Sequence, residues 1–123
     1  MKFTIYIRGR GWAFQLANSL NKKNNLDYIV TSYPKFITQK YKIPKNKVKS
    51  VFILEIIVRG LRKINKFLKK IKIILNPANI GDILADLIYS KFYKIYSDVY
   101  ILGFGNSTSN LIKFAKKKNI RTI

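Results

Sequence analysis

Apolar residues along the N-terminal part of the chain switch between two spacings. Two short apolar runs rich in β-forming residues, at 3–7 and 26–31, predict the first two strands. Between them, Trp12, Leu16 and Leu20 recur every four residues with Ala13 and Ala17 beside them, which predicts a helix of about three turns. The chain therefore begins with a strand, a helix and a second strand.

The central part contains one more predicted strand and two long predicted helices. Residues 48–54 form a third apolar run, and the polar connection over 36–46, which Pro44 interrupts, has room for a short helix. A helical spacing follows over 55–71, and a second helix is predicted over about 79–96. The inward residues expected on these two helices are Ile57, Leu61, Ile64, Leu68 and Ile71 on the first, and Ile83, Leu87 and Tyr93 on the second.

The C-terminal part repeats the pattern of the start. Residues 98–102 predict a fourth strand, and residues 120–123 predict the beginning of a fifth. A helix lies between them, for which Ser107 or Thr108 is a candidate cap. Its expected inward side chains are Leu111, Phe114 and Ala115.

This order predicts an α/β fold with a Rossmann-like, doubly wound parallel sheet in the order 3-2-1-4-5. Residues 1–123 form one domain. Since no helix follows the last strand, we expect the sheet to be incomplete at its C-terminal end and the chain to be the N-terminal half of a longer protein. In this order the loops after the first and fourth strands face one crevice, where such folds bind ligands.

Composition excludes several kinds of chemistry. The chain has no cysteine and no histidine, so we expect neither a thiolate or imidazole metal site nor a cysteine nucleophile. Twenty-five Lys and Arg against five Asp and Glu give a formal charge of +20, which attracts anionic partners of any kind. Only five of the cations are arginines, the residues that nucleic-acid readers favour, so the charge by itself names no function.

Two glycine-containing turns are the candidate sites. The first is Arg8, Gly9, Arg10 and Gly11, after the first strand. A glycine turn that opens a helix presents backbone N–H groups and partial positive charge, and two arginines there would hold a phosphate. The alternative is a plain turn with solvated arginines, since neither a G-x-G-x-x-G nor a Walker A pattern is present.

The second turn follows the fourth strand and has the same predicted geometry. Its candidate residues are Gly103, Gly105, Asn106 and Ser107. A plain strand-to-helix turn is again the alternative. Together the two turns would form one anion-binding wall, because both follow neighbouring strands.

The acidic residues and the basic helix have simpler explanations beside functional ones. Asp82 and Asp86 lie four residues apart, and we expect them to pair with surface lysines rather than to bind metal. The helix over 55–71 either covers the sheet with a solvated lysine face or rests on an anionic membrane. The candidate membrane-facing residues are Arg62, Lys63, Lys66, Lys69 and Lys70.

Three segments resemble a known family. They are R-G-R-G-W-A-F-Q-L-A at 8–17, T-S-Y-P-K at 31–35 and D-V-Y-I-L-G-F-G-N-S-T-S-N-L-I-K-F-A-K-K-K-N-I-R-T-I at 98–123. With these segments the chain is similar to the N-terminal domain of a family 4 glycosyltransferase, the kind with two Rossmann domains (GT-B). The resemblance spans the whole chain, is weakest in the middle, and lacks the histidine that many members carry in this domain.

The resemblance implies transfer of a sugar from a nucleotide-sugar donor to a glycan or lipid-linked acceptor, in cell-surface polysaccharide assembly. It implies no cofactor, a donor site mainly in an absent second domain, and no activity for these residues alone. The resemblance implies that Gly9, Arg10 and Gly11 line the cleft between the two domains. The second turn is a further candidate for lining it.

Two other classes of function stay open at this point. The runner-up is a free-standing basic module for nucleic acid or anionic membrane, with nucleic acid disfavoured by the few arginines. The other, a response-regulator-like small-ligand domain, is disfavoured because no acidic cluster follows the first strand. With no signal peptide or membrane span in the sequence, the expected location is the cytoplasm, where the inner face of the cell membrane is a candidate attachment surface.

Overall fold

A computed structural model describes residues 1–8, 11–72, 76–103 and 109–123 of the chain. Its helices and strands alternate as the sequence predicts. In chain order they are β1 (Phe3–Tyr6), α1 (Gly11–Lys22), β2 (Leu26–Thr31), α2 (Lys35–Gln39), a 3-10 turn (Lys45–Lys47), β3 (Val48–Ser50), α3 (Phe52–Leu68), a second 3-10 turn (Lys69–Ile71), α4 (Pro77–Phe92), β4 (Val99–Leu102), α5 (Ser109–Lys117) and β5 (Arg121–Thr122).

The five strands form one parallel sheet in the order β3-β2-β1-β4-β5. This confirms the predicted α/β class and the 3-2-1-4-5 order. Strand β1 lies at the centre, where Ile5 pairs with Ile29 of β2 on one side and with Ile101 of β4 on the other. The strand order reverses between β1 and β4, so the predicted crevice lies at their carboxyl ends.

Two apolar clusters lie on opposite faces of the sheet. Ile5 and Ile7 point toward α1, where they meet Phe14, and Tyr6 between them points toward α3, α4 and α5. This alternation follows from the two-residue period of a strand. Because helices cover both faces, the central strands carry apolar side chains on each side.

The boundaries near β3 differ from the prediction. The predicted third strand, 48–54, ends at Ser50, and α3 begins at Phe52 rather than at residue 55. The Val51 N–H still donates to the carbonyl oxygen of Thr31, at 2.8 Å, and the chain then turns into the helix. Apolar residues 52–54 were indistinguishable from strand by pattern, because a short apolar run suits either element.

Several predicted inward faces are rotated. In α1 the buried residues are Ala13, Phe14 and Ala17, whereas Trp12 is half exposed. In α4 both Ile83 and Leu87 are exposed, and the buried residues are Gly81, Ala85, Asp86 and Tyr89. Gly81 lets α3 and Arg8 approach α4 closely, which periodicity alone did not show.

A polar network holds the amino-terminal edge of the sheet. The Ser97 hydroxyl lies 2.6 Å from Thr4 Oγ1 and 2.6 Å from Asp27 Oδ2, linking β1, β2 and the segment before β4. Asp98 accepts from the backbone N–H of Lys2 at 2.6 Å. These two acids are therefore structural. None of the helices in the described ranges is long and apolar enough to span a bilayer.

Candidate functional site

The candidate site lies where β1 and β4 end side by side. Tyr6, the last residue of β1, pairs with Leu102, the last residue of β4. The chain leaves β1 toward the start of α1 and leaves β4 toward the start of α5. The two predicted turns therefore leave the same edge of the sheet from neighbouring strands.

Gly103 brings the second turn close to the first. Its N–H donates to the carbonyl oxygen of Tyr6 at 2.8 Å. A Cβ atom at Gly103 would lie 2.9 Å from Ile7 Cδ1 and 3.2 Å from Trp12 Cζ2, which is tighter than ordinary van der Waals contact. The absence of a side chain at Gly103 thus lets the chain pass directly beside the first turn of α1.

Aromatic side chains surround the start of α1. Trp12 is 51% exposed and lies beside Gly103. On the inner side, the Phe14 ring centroid is 5.9 Å from that of Tyr33 and 5.1 Å from that of Tyr41. This cluster fixes the helix against the segment after β2 and leaves the Trp12 indole as an open apolar surface at the crevice.

The starts of α1 and α5 differ in their hydrogen bonding. Asp86 of α4 accepts from the backbone N–H groups of Asn110 and Leu111, each at 3.0 Å, so a protein carboxylate already occupies the start of α5. Among the described residues, no side chain accepts from the first turn of α1. The start of α5 is therefore occupied by the protein itself, and we retain the start of α1 as the candidate helix end for an anionic ligand.

Asp86 also corrects a prediction. We expected it on the surface beside lysines, but its side chain is buried, and it also accepts from the Asn110 side chain at 2.9 Å. Asp82, one turn earlier, pairs with Arg8 rather than with a lysine. The spacing of four residues placed the two acids on neighbouring turns but did not show which partners the fold brings to each.

Arg8 extends toward the start of α4 and is held there. Its Nη1 donates to the carbonyl oxygen of Ala78 at 2.9 Å, and its Nε lies 3.4 Å from Asp82 Oδ1. Space for the guanidinium exists because residue 81 is glycine: a Cβ there would lie 1.8 Å from Arg8 Nη1. An anionic ligand at the crevice would have to compete with Asp82 for this arginine.

A second polar group lies beside Arg8, and the sequence did not single it out. The Ser32 hydroxyl, directly after β2, contacts the carbonyl oxygen of Arg8 and lies 3.3 Å from Glu55 Oε2. It has one proton and so donates to one of them at a time. Glu55 in turn pairs with Arg59 at 3.4 Å. The position of Ser32 at a strand end was the available signal.

The buried Tyr89 hydroxyl also contacts the chain at the end of β1. Its hydroxyl donates to the carbonyl oxygen of Ile7 at 3.3 Å. Burial raises the pKa of Tyr89 well above its usual range, and the nearby positive charge of Arg8 opposes that shift only in part. The hydroxyl therefore stays neutral and acts as a fixed donor to the end of β1.

The remaining predicted site residues fall in two groups. Gly9, Arg10, Gly105, Asn106 and Ser107 lie outside the described residues, as does the candidate cap Thr108. The candidate membrane-facing residues 62, 63, 66, 69 and 70 are all exposed, on α3 and the turn after it. They lie roughly 10–22 Å along the helix axis from Glu55, and so are not part of the crevice.

The acidic residues near the crevice are not arranged as a set of metal ligands. Within the part of the chain that the structure describes, no three acidic residues lie close enough together to hold an ion. Glu55 and Asp82, the acids near the crevice, are each paired with an arginine. What the crevice offers a ligand is a helix end, an aromatic surface and backbone groups.

Comparison of the sequence and structure with protein-family models, curated proteins and solved structures found no match. The class of this protein is therefore defined by its sheet. It is a Rossmann-like α/β domain whose strand order reverses between β1 and β4, the place where such folds bind ligands.

Proposed function

We propose that this chain is the acceptor-side domain of a two-Rossmann-domain glycosyltransferase. In this proposal the protein transfers a sugar from a nucleotide-sugar donor to a glycan or lipid-linked acceptor during cell-surface polysaccharide assembly. A second Rossmann domain binds the donor and faces the crevice described above. The nucleotide sugar is a substrate, and no separate cofactor takes part.

The observation that carries the proposal is the contact between the two turns at the switch point. Gly103 lies against Ile7 and Trp12, so the chain just after β4 contacts residues just after β1. Open α/β sheets bind their ligands at the edge where β1 and β4 end. A ligand shared between two such domains would contact both turns at once.

Catalysis in this proposal depends on position and electrostatics. The start of α1 carries partial positive charge, which favours the diphosphate that leaves the donor sugar. Arg10, which the family resemblance assigns to the cleft, adds a full positive charge to the same turn. Trp12 supplies an apolar face on which an acceptor sugar ring can pack. The two nearby acids are held in ion pairs, so we assign neither of them as a base.

Binding of an acceptor to this chain alone tests the proposal through its one tryptophan. Because Trp12 is the only Trp, its fluorescence reports on the crevice without interference. Titration with a panel of oligosaccharides and polyprenyl-phosphate sugars should change the emission of Trp12. Amide shifts in NMR spectra of the same samples should centre on residues near Gly11 and Gly103.

Turnover provides the second test. The protein encoded by the full reading frame should release nucleoside diphosphate from at least one nucleotide sugar in the presence of acceptor. Arg10→Ala should lower that rate by about tenfold or more with little change in stability, whereas Arg121→Ala, equal in charge but on β5, should not. Ligand shifts that map away from both turns, or unchanged turnover in Arg10→Ala, would contradict this assignment.

A further inference from the structure

Helix α3 exposes an unusual amount of apolar surface. Seven of the fifteen large apolar side chains that are exposed among the described residues lie between residues 52 and 71. Ile53 is 62% exposed and Phe67 is 65% exposed. We call six of these residues the α3 strip: Ile53, Ile56, Ile57, Ile64 and Phe67 on the helix, and Ile71 on the 3-10 turn that follows it. Apolar surface concentrated in this way marks an interaction site.

The strip lies on a different side of α3 from the core. At about 100° per residue, the five strip residues on α3 fall within roughly a third of the helix circumference, and Ile71 follows them on the 3-10 turn. The buried residues Leu54 and Val58 lie on another side, against the sheet and α4. The stripe Ile57, Leu61, Ile64, Leu68 and Ile71, which we expected inward, is therefore split: Leu61 and Leu68 are half buried, and the three isoleucines are exposed.

Cations border the strip along one edge. Arg59, Lys63, Lys66 and Lys70 follow one another at steps of four, three and four residues, which places them in one row. Lys63 and Lys70 come next to the strip on the helix surface, and all four are exposed. Glu55 is the only acid on α3, and it is paired with Arg59. On its exposed side, the helix thus has an apolar face that lies directly next to a cationic face.

We infer that α3 binds the surface of an anionic phospholipid bilayer, with the strip inserted among the acyl chains and the row of cations at the headgroups. A helix with these two adjacent faces matches the two layers of a bilayer interface. Lysine stems reach along apolar surface while their charges stay in water, which suits the positions of Lys63 and Lys70. The inference concerns a different surface from the crevice and does not rest on the proposed glycosyltransferase function.

The same observations disfavour two other occupants. A second copy of the chain would bring two cationic rows together, in a protein whose formal charge is +20. Nucleic acid would neutralise the cations but would leave the isoleucines in water, because aliphatic side chains offer no surface for base stacking. Of these three occupants, a bilayer is the one that satisfies both faces.

Vesicle co-sedimentation tests the inference. The whole chain should bind phosphatidylcholine vesicles that contain about 30% phosphatidylglycerol, and should bind pure phosphatidylcholine far less. Replacing the strip in Ile56→Gln/Ile64→Gln/Phe67→Gln should lower the partition coefficient by at least about tenfold. Because all three side chains are exposed, circular dichroism should be unchanged; Ile64→Gln alone serves if the triple variant does not fold.

A matched pair of lysine variants separates this surface from the overall charge. Lys63→Gln/Lys66→Gln/Lys70→Gln on α3 should lower vesicle binding by about tenfold or more. Lys113→Gln/Lys116→Gln/Lys117→Gln on α5 removes the same charge from exposed positions and should lower it by less than about threefold. Equal losses in the two variants would overturn the inference, because overall charge would then explain the binding.

Three further results would also overturn it. The first is wild-type vesicle binding by both the strip variant and Ile64→Gln. The second is an equal loss of affinity for a roughly 20-base-pair DNA duplex in the strip variant, which would assign the surface to nucleic acid. The third is a concentration-dependent dimer in analytical ultracentrifugation that the strip substitutions abolish, which would assign it to a second copy.

Discussion

The backbone N–H of Leu111, at the start of α5, donates to Oδ1 of Asp86 in α4 at 3.0 Å. Both residues are buried, and they are 25 positions apart in the sequence. A helix N-terminus leaves its first N–H groups without partners inside the helix. Here a neighbouring helix supplies the acceptor, so the cap of α5 also joins it to α4.

Removing this carboxylate should destabilise the protein strongly. Asp86→Ala leaves three donors without their acceptor: the N–H groups of Asn110 and Leu111 and the Asn110 amide. We expect a loss of about 2–3 kcal/mol in the free energy of unfolding, measured by urea denaturation. Asp86→Asn keeps one acceptor oxygen and should lose less. A change below about 0.5 kcal/mol in Asp86→Ala would show that the cap is dispensable.

Two glycines inside helices should respond in opposite directions to alanine. At Gly60 of α3 an added Cβ meets nothing within 4 Å, so Gly60→Ala should stabilise the protein by about 0.5–1 kcal/mol through helix propensity. At Gly81 of α4 the Cβ would lie 1.8 Å from Arg8 Nη1 and 2.7 Å from Val58 Cγ2. Gly81→Ala should therefore cost about 1–2 kcal/mol despite the same propensity gain.

Urea denaturation of the two glycine variants measures both effects, and each controls for the other. The Gly81→Ala variant should also separate Arg8 from Asp82, so that adding Arg8→Ala to it costs less than Arg8→Ala costs in the wild type. Stabilisation in both single variants would mean that the guanidinium moves aside without loss.

A side chain at Gly103 should open the contact between the two turns. Gly103→Ala puts a methyl group against Ile7 and Trp12, and we expect a cost of about 1–2 kcal/mol as these side chains move. The Trp12 emission spectrum should shift toward that of a more exposed indole. An unchanged spectrum together with unchanged stability would show that the turns are not in contact in solution.

Stability should fall at alkaline pH because of buried tyrosines. Burial, as the largest cause, raises the pKa values of Tyr6, Tyr89 and Tyr100 above the ordinary value of about 10. Their contribution is complete below about pH 10 and is lost as the pH rises above it, since the unfolded chain then releases protons that the folded chain keeps. Urea midpoints from about pH 8 to about pH 11 should show this decline.

Removing one of these hydroxyls checks the cause. Tyr89→Phe should lower stability at neutral pH, because it removes the bond to Ile7, but it should also flatten the decline above about pH 10. Tyrosinate absorbance should show that the buried group ionises only when the protein unfolds. A decline as steep as that of the wild type would assign the pH dependence to other groups.

The sequence by itself determined the element order and, through it, the sheet. Strand β2 begins at Leu26 and ends at Thr31, as its pattern predicted. A parallel sheet with helices on both faces follows from alternating strands and helices, and few arrangements satisfy short, right-handed connections. The adjacency of β1 and β4, which positions the two turns, was predictable for the same reason.

The tertiary structure decided which side chains meet. Arg8 was predicted at the crevice, but Gly81 leaves room for it over α4, where Asp82 and the Ala78 carbonyl hold it. Asp86 was expected at the surface and instead caps α5. The spacing of residues within one helix predicts a face, but which face is buried depends on how close the next helix comes.

Packing against neighbours also decides which apolar residues of α3 are buried. Its apolar residues extend over more than half of the helix circumference, and the sequence alone shows only that this face is broad. The sheet and α4 cover the part that includes Leu54 and Val58, and the strip stays outside. The pattern of apolar positions indicates how much apolar surface a helix has. The neighbouring elements determine how much of that surface is buried within the protein.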